Sequence, residues 1–290
     1  MSSAKFLEDP LEFAKKNAIL PQLGLEDADR LKPKKVNPNL TVYQVKGGNR
    51  ILFANIVAKD GAHNCFEVEF NPAQLTESWF PVYWLPWQYN KTYRITLKRS
   101  EKTTVWDKRD RLANPHVFFT GALSGCMVHI DGDPFEPTVY HSNARDLKHD
   151  PPPSKDDTVR WSMMLKAQAM NADVVAAQTK FPKGESHYAR QHADAFLYTP
   201  HVANAEKLEK LRTRATEKLK ADFVQPVPLG MVFGVKSQGL GVWTFYYQSL
   251  IQFIIQKNSK KHEVWVVREC KRFWPGADIQ KPINIKIVED

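Results

Sequence analysis

Residues 118–141 read FFTGALSGCMVHIDGDPFEPTVYH. Two runs of strand-forming residues, 127–131 and 138–141, flank Gly132-Asp133-Pro134-Phe135-Glu136, a cluster of turn formers, so this stretch is expected to fold as a β-hairpin. With the loop centred between Asp133 and Pro134, Cys126 stands opposite His141, Val128 opposite Val139 and Ile130 opposite Pro137. Directly opposed Cβ atoms lie about 4.5–5.5 Å apart, within reach of a thiol and an imidazole.

Working outward, β-branched and aromatic runs precede the hairpin at 40–45, 50–57, 64–70, 93–97, 103–106 and 117–119, with Gly47-Gly48 and Lys59-Asp60-Gly61 as breaks. Others follow at 229–235, 242–248, 252–256 and 264–268. Between the two sets, the proline run at 150–154 leads into helical periodicity. Met163, Ala167, Met170, Val174 and Ala177 form one stripe, and Leu208, Leu211, Ala215 and Leu219 a second, supported by Glu206 and Lys210 four residues apart. At the N-terminus Asp9 is placed to cap a helix that begins with Pro10, and 25–31 adds another helical turn or two. The order β-rich, helical, β-rich predicts an α+β fold. It reads as one domain over 1–290: a lead-in at 1–38, early strands with the hairpin at 39–141, a helical insertion at 155–222, and late strands at 229–290 that join the early sheet.

The 290 residues are 42% hydrophobic and 25% charged, enough apolar content for a sizeable core. The net charge of +9 favours acidic surfaces as partners. Three cysteines, Cys65, Cys126 and Cys270, are too few for a disulfide framework and imply free thiols in a reducing compartment. No run of about 18 apolar residues and no Sec-type leader is visible, which predicts no membrane span. No zinc-finger spacing or RNP-like motif points to nucleic acid. Gly230, Gly234, Gly239 and Gly241 lack the order of a nucleotide-binding loop. Trp79, Phe80, Tyr83, Trp84, Trp87 and Tyr89 form the densest aromatic stretch, read first as packing between layers and second as a rim that grips a partner.

The hairpin also carries the candidate chemistry. A thiol becomes a nucleophile when a neighbouring imidazole takes its proton, which casts Cys126 and His141 as a pair. Thr120 offers a hydroxyl that could accept a hydrogen bond from the second nitrogen of His141 and fix its tautomer. The small residues Gly121 to Gly125, with Leu123, Ser124 and Gly125 nearest the thiol, could turn backbone N–H groups toward a developing oxyanion. His129 would face away from Cys126 by strand alternation, and no further ligand completes a zinc set, so no metal or organic cofactor is expected. Cys65 shares a face with Glu67 and Glu69, which should raise its pKa. Cys270 has no histidine near it in sequence and reads as incidental.

LSGC with a histidine fifteen residues later resembles the catalytic domain of the cytotoxic necrotizing factors and the related dermonecrotic toxin, which deamidate or transglutaminate a glutamine of Rho-family GTPases. The Thr six residues before the Cys resembles the Cys-His-Thr triads of the Burkholderia-type lethal factor, which acts on a translation initiation helicase, and of the chemotaxis-receptor deamidase. The resemblance is confined to 118–141. It implies a central β-sandwich of mixed sheets with helices packed outside, with Cys126 as nucleophile, His141 as base and then acid, and Thr120 as the orienting group. The implied activity is that of a protein-glutamine deamidase, or a transglutaminase with the same site. Such a protein would be a monomeric bacterial toxin or effector, cytoplasmic in its producer and delivered to the host cytosol, where it meets a host protein carrying the target glutamine. The alternative from a different class is a non-catalytic basic protein-binding module.

Overall fold

The computed structural model describes residues 2–22, 34–35, 42–44, 51–86, 92–99, 115–123, 127–142 and 205–275. Two short helices open the chain, α1 (Ser2–Glu8) and α2 (Pro10–Lys16). Asp9 caps the second: its Oδ1 accepts the Glu12 N–H at 3.0 Å, and Pro10 occupies the first turn, where a missing N–H costs nothing.

Strands follow in the order β1 (Ala18–Pro21), β2 (Lys34–Lys35), β3 (Val42–Gln44), β4 (Ile51–Ala58), β5 (Cys65–Asn71), β6 (Phe80–Leu85), β7 (Thr92–Thr96), β8 (Val117–Thr120), β9 (Met127–Asp131) and β10 (Thr138–Ser142). Helix α3 (Ala205–Leu219) then leads to three long strands, β11 (Phe223–Lys236), β12 (Trp243–Lys257) and β13 (Lys260–Trp274).

These strands make two sheets. The larger runs β1-β5-β4-β6-β8-β11-β12-β13, and the smaller runs β2-β3-β7-β10-β9. Both are mixed, with parallel pairs at β1/β5, β6/β8 and β3/β7. The late strands join the early ones through the β8–β11 ladder, within a single sheet.

Side-chain alternation divides the core into layers. Between the sheets lie Phe53, Tyr83, Leu85, Phe118, Val232, Trp243 and Phe245 of the larger, against Tyr93, Ile95, Val128, Ile130 and Val139 of the smaller. On the other face of the larger sheet, Leu52, Val82, Trp84, Phe119 and Phe233 pack against Phe6, Phe13 and Ala14 of the N-terminal helices. Ala215 of α3 adds to a third cluster with Val224, Ile251, Phe253 and Ile255. The architecture is therefore α+β: a β-sandwich of mixed sheets with helices outside.

One buried amide ties the two ends of the larger sheet together. Gln248 on β12, 0% exposed, accepts the Ile19 N–H of edge strand β1 at 3.0 Å. Its own NH₂ group donates to the carbonyls of Ala14 and Asn17 at the end of α2, the latter at 2.7 Å. Every polar atom of this side chain has a partner, which is what makes its burial tolerable.

Three expectations are corrected. The runs at 242–248 and 252–256 are one continuous strand, β12, and 264–268 is the middle of β13. The strand expected at 229–235 begins at Phe223 instead: Pro226 and Pro228 lie where β8 does not pair with β11, so among the described residues no ladder on that side is interrupted. The aromatic stretch contains strand β6, and Pro81 precedes by one residue the point at which β8 begins to pair, at Val82. Trp79, Phe80, Tyr83 and Trp84 are core residues, as the packing reading expects, while Trp87 and Tyr89 lie outside the described residues. The expected elements at 25–31, 103–106 and 163–177 also lie outside them.

Candidate active site

The hairpin forms between the expected strands, but its register differs by two residues. Asp131 pairs with Thr138, Ile130 with Val139, and Val128 with His141. The cause is a longer loop. Asp133 Oδ1 accepts the Phe135 N–H at 2.8 Å, its carbonyl accepts the Glu136 N–H at 2.9 Å, and Gly132 adopts φ +88°, so residues 132–137 all belong to the turn. Cys126 is thus not the residue opposite His141; Val128 is. A slip of two preserves the face on which each side chain stands, whereas a slip of one would have reversed it.

His141 is on β10, an interior strand flanked by β7 and β9, with Tyr93 as its partner on one side and Val128 on the other. All three project into the apolar layer between the sheets, and His141 is 0% exposed. From the facing sheet comes Thr120, the last residue of β8, also 0% exposed.

Just beyond Thr120 the ladder with β11 takes in one extra residue. Phe119 pairs with Phe233, so an unbroken register would set Ala122 opposite Gly230, yet it is Leu123 that bridges Gly230. This bulge at 120–123 returns Leu123 to the inner face with Phe118, and bulges of this kind commonly re-aim chain beside functional sites.

Thr120 Oγ1 lies 2.6 Å from His141 Nδ1 and 2.8 Å from the Leu85 carbonyl oxygen. A hydroxyl has one proton, and the carbonyl can only accept, so Thr120 donates to Leu85 and accepts from His141. Nδ1 therefore carries the hydrogen. Burial pushes the His141 pKa down to about 3, so the ring is neutral near pH 7 and Nε2 holds a lone pair. Among the described residues Nε2 has no hydrogen-bond partner although it is fully buried. An unsatisfied buried polar atom costs about 1–3 kcal/mol, and such atoms concentrate where function requires them. A neutral imidazole with one nitrogen fixed by a hydroxyl has a lone pair on the other that can accept a proton.

The other candidates are placed as follows. The Leu123 N–H donates to the Gly230 carbonyl at 2.7 Å, and the Leu123 carbonyl accepts the Gly230 N–H at 2.8 Å, so its backbone is committed to the sheet. Ser124, Gly125 and Cys126 lie outside the described residues. His129 pairs in register with Tyr140. Among the described residues no group of three or more His, Cys, Asp or Glu side chains gathers as a metal site. Cys65 and Cys270 are buried free thiols, and burial pushes both to about 12. For Cys65 the carboxylates of Glu67 and Glu263 add to the rise and Lys59 opposes it.

No protein-family model matches the chain, and no curated protein does. The reading of the site rests on its own geometry and on the short motif at 118–141.

Sequence reasoning singled out Thr120 and His141 but missed two parts of the site. The Leu85 carbonyl decides which way the Thr120 hydroxyl points, and the Leu123–Gly230 bridge sets where the bulge ends. The first is a main-chain group and leaves no mark in the sequence. The second had a signal in Gly121 and Gly230, small residues where chains approach closely.

Proposed function

We propose that this chain is a cysteine-dependent deamidase that converts a glutamine side chain of a host protein to glutamate, with Cys126 as nucleophile, His141 as base and acid, and Thr120 as the orienting residue. The observation that carries the reading is the His141 ring, locked as the Nδ1–H tautomer by Thr120, with a buried Nε2 that has no partner among the described residues. A thiol is a donor that would satisfy that nitrogen, and Cys126 stands two residues before Val128, the cross-strand neighbour of His141.

In this mechanism Nε2 takes the Cys126 proton and the thiolate attacks the carboxamide carbon, pushing its electron pair onto oxygen. Backbone N–H groups near Ser124, Gly125 and Cys126 would hold that oxyanion, since the Leu123 N–H is already bonded to Gly230. Collapse expels ammonia, protonated by His141. Water, deprotonated by the same nitrogen, then cleaves the thioester to give glutamate and the free thiol. If a lysine amine replaces water, the product is an isopeptide crosslink, and the chain is a transglutaminase.

The net charge of +9 suits an acidic partner, and the enzymes that the motif resembles act on Rho-family GTPases or a translation initiation helicase. A catalytic thiol requires a reducing compartment, which fits an effector working in host cytosol. Among the described residues no helix is long and apolar enough to cross a membrane.

Intact-mass measurement of candidate host proteins tests this reading. A gain of about one mass unit per converted glutamine, from exchange of NH₂ for OH, is expected with the parent chain and not with Cys126→Ser. Full activity in Cys126→Ser contradicts it.

A second reading is favoured by the complete burial of both Thr120 and His141. Here their hydrogen bond is a clasp between the two sheets, and the chain is a basic protein-binding module in which Cys126 behaves as an ordinary thiol.

A further inference from the structure

The end of α3, the start of β11 and the β12–β13 turn meet at one corner of the larger sheet. The Ala221 N–H donates to the Thr216 carbonyl at 3.2 Å and the Asp222 N–H to the Gln256 carbonyl at 2.9 Å. From the turn, the Asn258 N–H donates to Asp222 Oδ2 at 3.0 Å, and Lys257 Nζ reaches the Leu219 carbonyl at 3.4 Å. Register sets Phe223 beside Gln256, Gln256 beside Lys261, and Lys257 beside Lys260.

Lys218, Lys220, Lys257, Lys260 and Lys261 are therefore gathered on one exposed tip. Among the described residues the carboxylates on it are Glu217 and Asp222, and Asp222 is engaged by the turn backbone. Among these lysines two large apolar side chains face solvent, Leu219 at 37% exposure and Phe223 at 44%.

We propose that this corner is a docking surface for anionic phospholipid. Leu219 and Phe223 enter the boundary between headgroups and acyl chains, while the five lysines sit at the level of the lipid phosphates and carboxylates. A fluid interface accepts isolated apolar side chains on a projecting turn, whereas a folded acidic protein would need a pocket matched to each. The proposal is independent of the deamidase reading, since no residue of the corner belongs to the Thr120–His141 site.

Cosedimentation of the full chain with vesicles tests it. Binding is expected to vesicles of phosphatidylcholine with phosphatidylserine and not to phosphatidylcholine alone, and it should weaken as salt is raised. Each lysine near an anionic surface contributes about a fivefold change in partition, so Lys260→Gln with Lys261→Gln should weaken binding about 25-fold. Leu219→Ser should weaken it at constant charge. Lys5→Gln with Lys16→Gln, on the N-terminal helices, should leave it unchanged, and circular dichroism reports whether each variant is folded. Failure to bind the anionic vesicles overturns the proposal. Equal losses in the two lysine pairs overturn it as well, because diffuse charge then accounts for the binding. So does capture of acidic proteins without vesicle binding.

Discussion

Replacing Thr120 with valine keeps the branched shape and deletes one hydroxyl from the middle of the sandwich. Two hydrogen bonds go with it, one accepted from His141 Nδ1–H and one donated to the Leu85 carbonyl. The Leu85 oxygen keeps the Gly121 N–H at 3.3 Å, so the larger penalty falls on the imidazole, whose Nδ1–H is left buried without an acceptor. An orphaned donor of this kind costs about 1–3 kcal/mol and the weakened carbonyl somewhat less, giving roughly 2–3 kcal/mol in all. For a protein of 290 residues that corresponds to a fall in Tm of about 3–5 °C. A ring freed from Thr120 can also turn or change tautomer. Activity on the target glutamine should then fall about 100-fold or more, the low end of what a positioned general base supplies. Thermal melting by circular dichroism, with Thr120→Ser as the rescue that retains the hydroxyl, reads the first effect, and the mass assay reads the second. A Tm for Thr120→Val within about 1 °C of the parent would refute the argument.

Other consequences follow from the same coordinates. His141 is held neutral down to a pKa of about 3, against 6.5 when unfolded. The unfolded chain therefore binds the extra proton first, and this contribution to stability, complete above pH 6.5, is lost progressively as pH falls from 6.5 toward 3. By pH 5 the loss is about 2 kcal/mol, visible as a lower denaturant midpoint, and His141→Gln should lack that part of the slope. Gln248→Ala leaves the Ile19 N–H and the Ala14 and Asn17 carbonyls without their partner and should cost roughly 2–4 kcal/mol, with faster hydrogen exchange at the Ile19 amide. Gly234→Ala puts a Cβ 2.7 Å from the Phe245 ring in the inter-sheet core and should lower stability by about 1–3 kcal/mol in denaturant titration.

What the sequence conveyed, and what it hid, follows the reach of each signal. Local chemistry was legible: Asp9-Pro10 marked a helix start, and β9 carries the expected bounds. The sandwich was implied by the resemblance at 118–141, and strand alternation fixes the face of a side chain but not its partner. The hairpin shows the difference, since Asp133 and Gly132 lengthened the turn and moved His141 from Cys126 to Val128 without turning it off the inner face. The full length of β11 was hidden, because only the tertiary arrangement shows that Pro226 and Pro228 lie where β8 does not pair with it. The Thr120–His141 contact joins strands from different sheets, a pairing that no short-range pattern encodes, and it was anticipated through a motif. The Gln248 clasp bridges residues 229 apart in sequence and had no local signal at all.

The most direct test of the central claim, that the open nitrogen of His141 serves the Cys126 thiol, is the pH dependence of alkylation in the native chain. Cys65 and Cys270 are buried and pushed to about 12, so the fast-reacting thiol is assignable by peptide mapping to Cys126. The account predicts that alkylation of Cys126 persists well below about pH 8.5, because the neutral Nε2 takes the thiol proton in the reacting step, and that His141→Gln restores the profile of a free thiol. A midpoint near 8.5 in the parent chain, unchanged by His141→Gln, would contradict it.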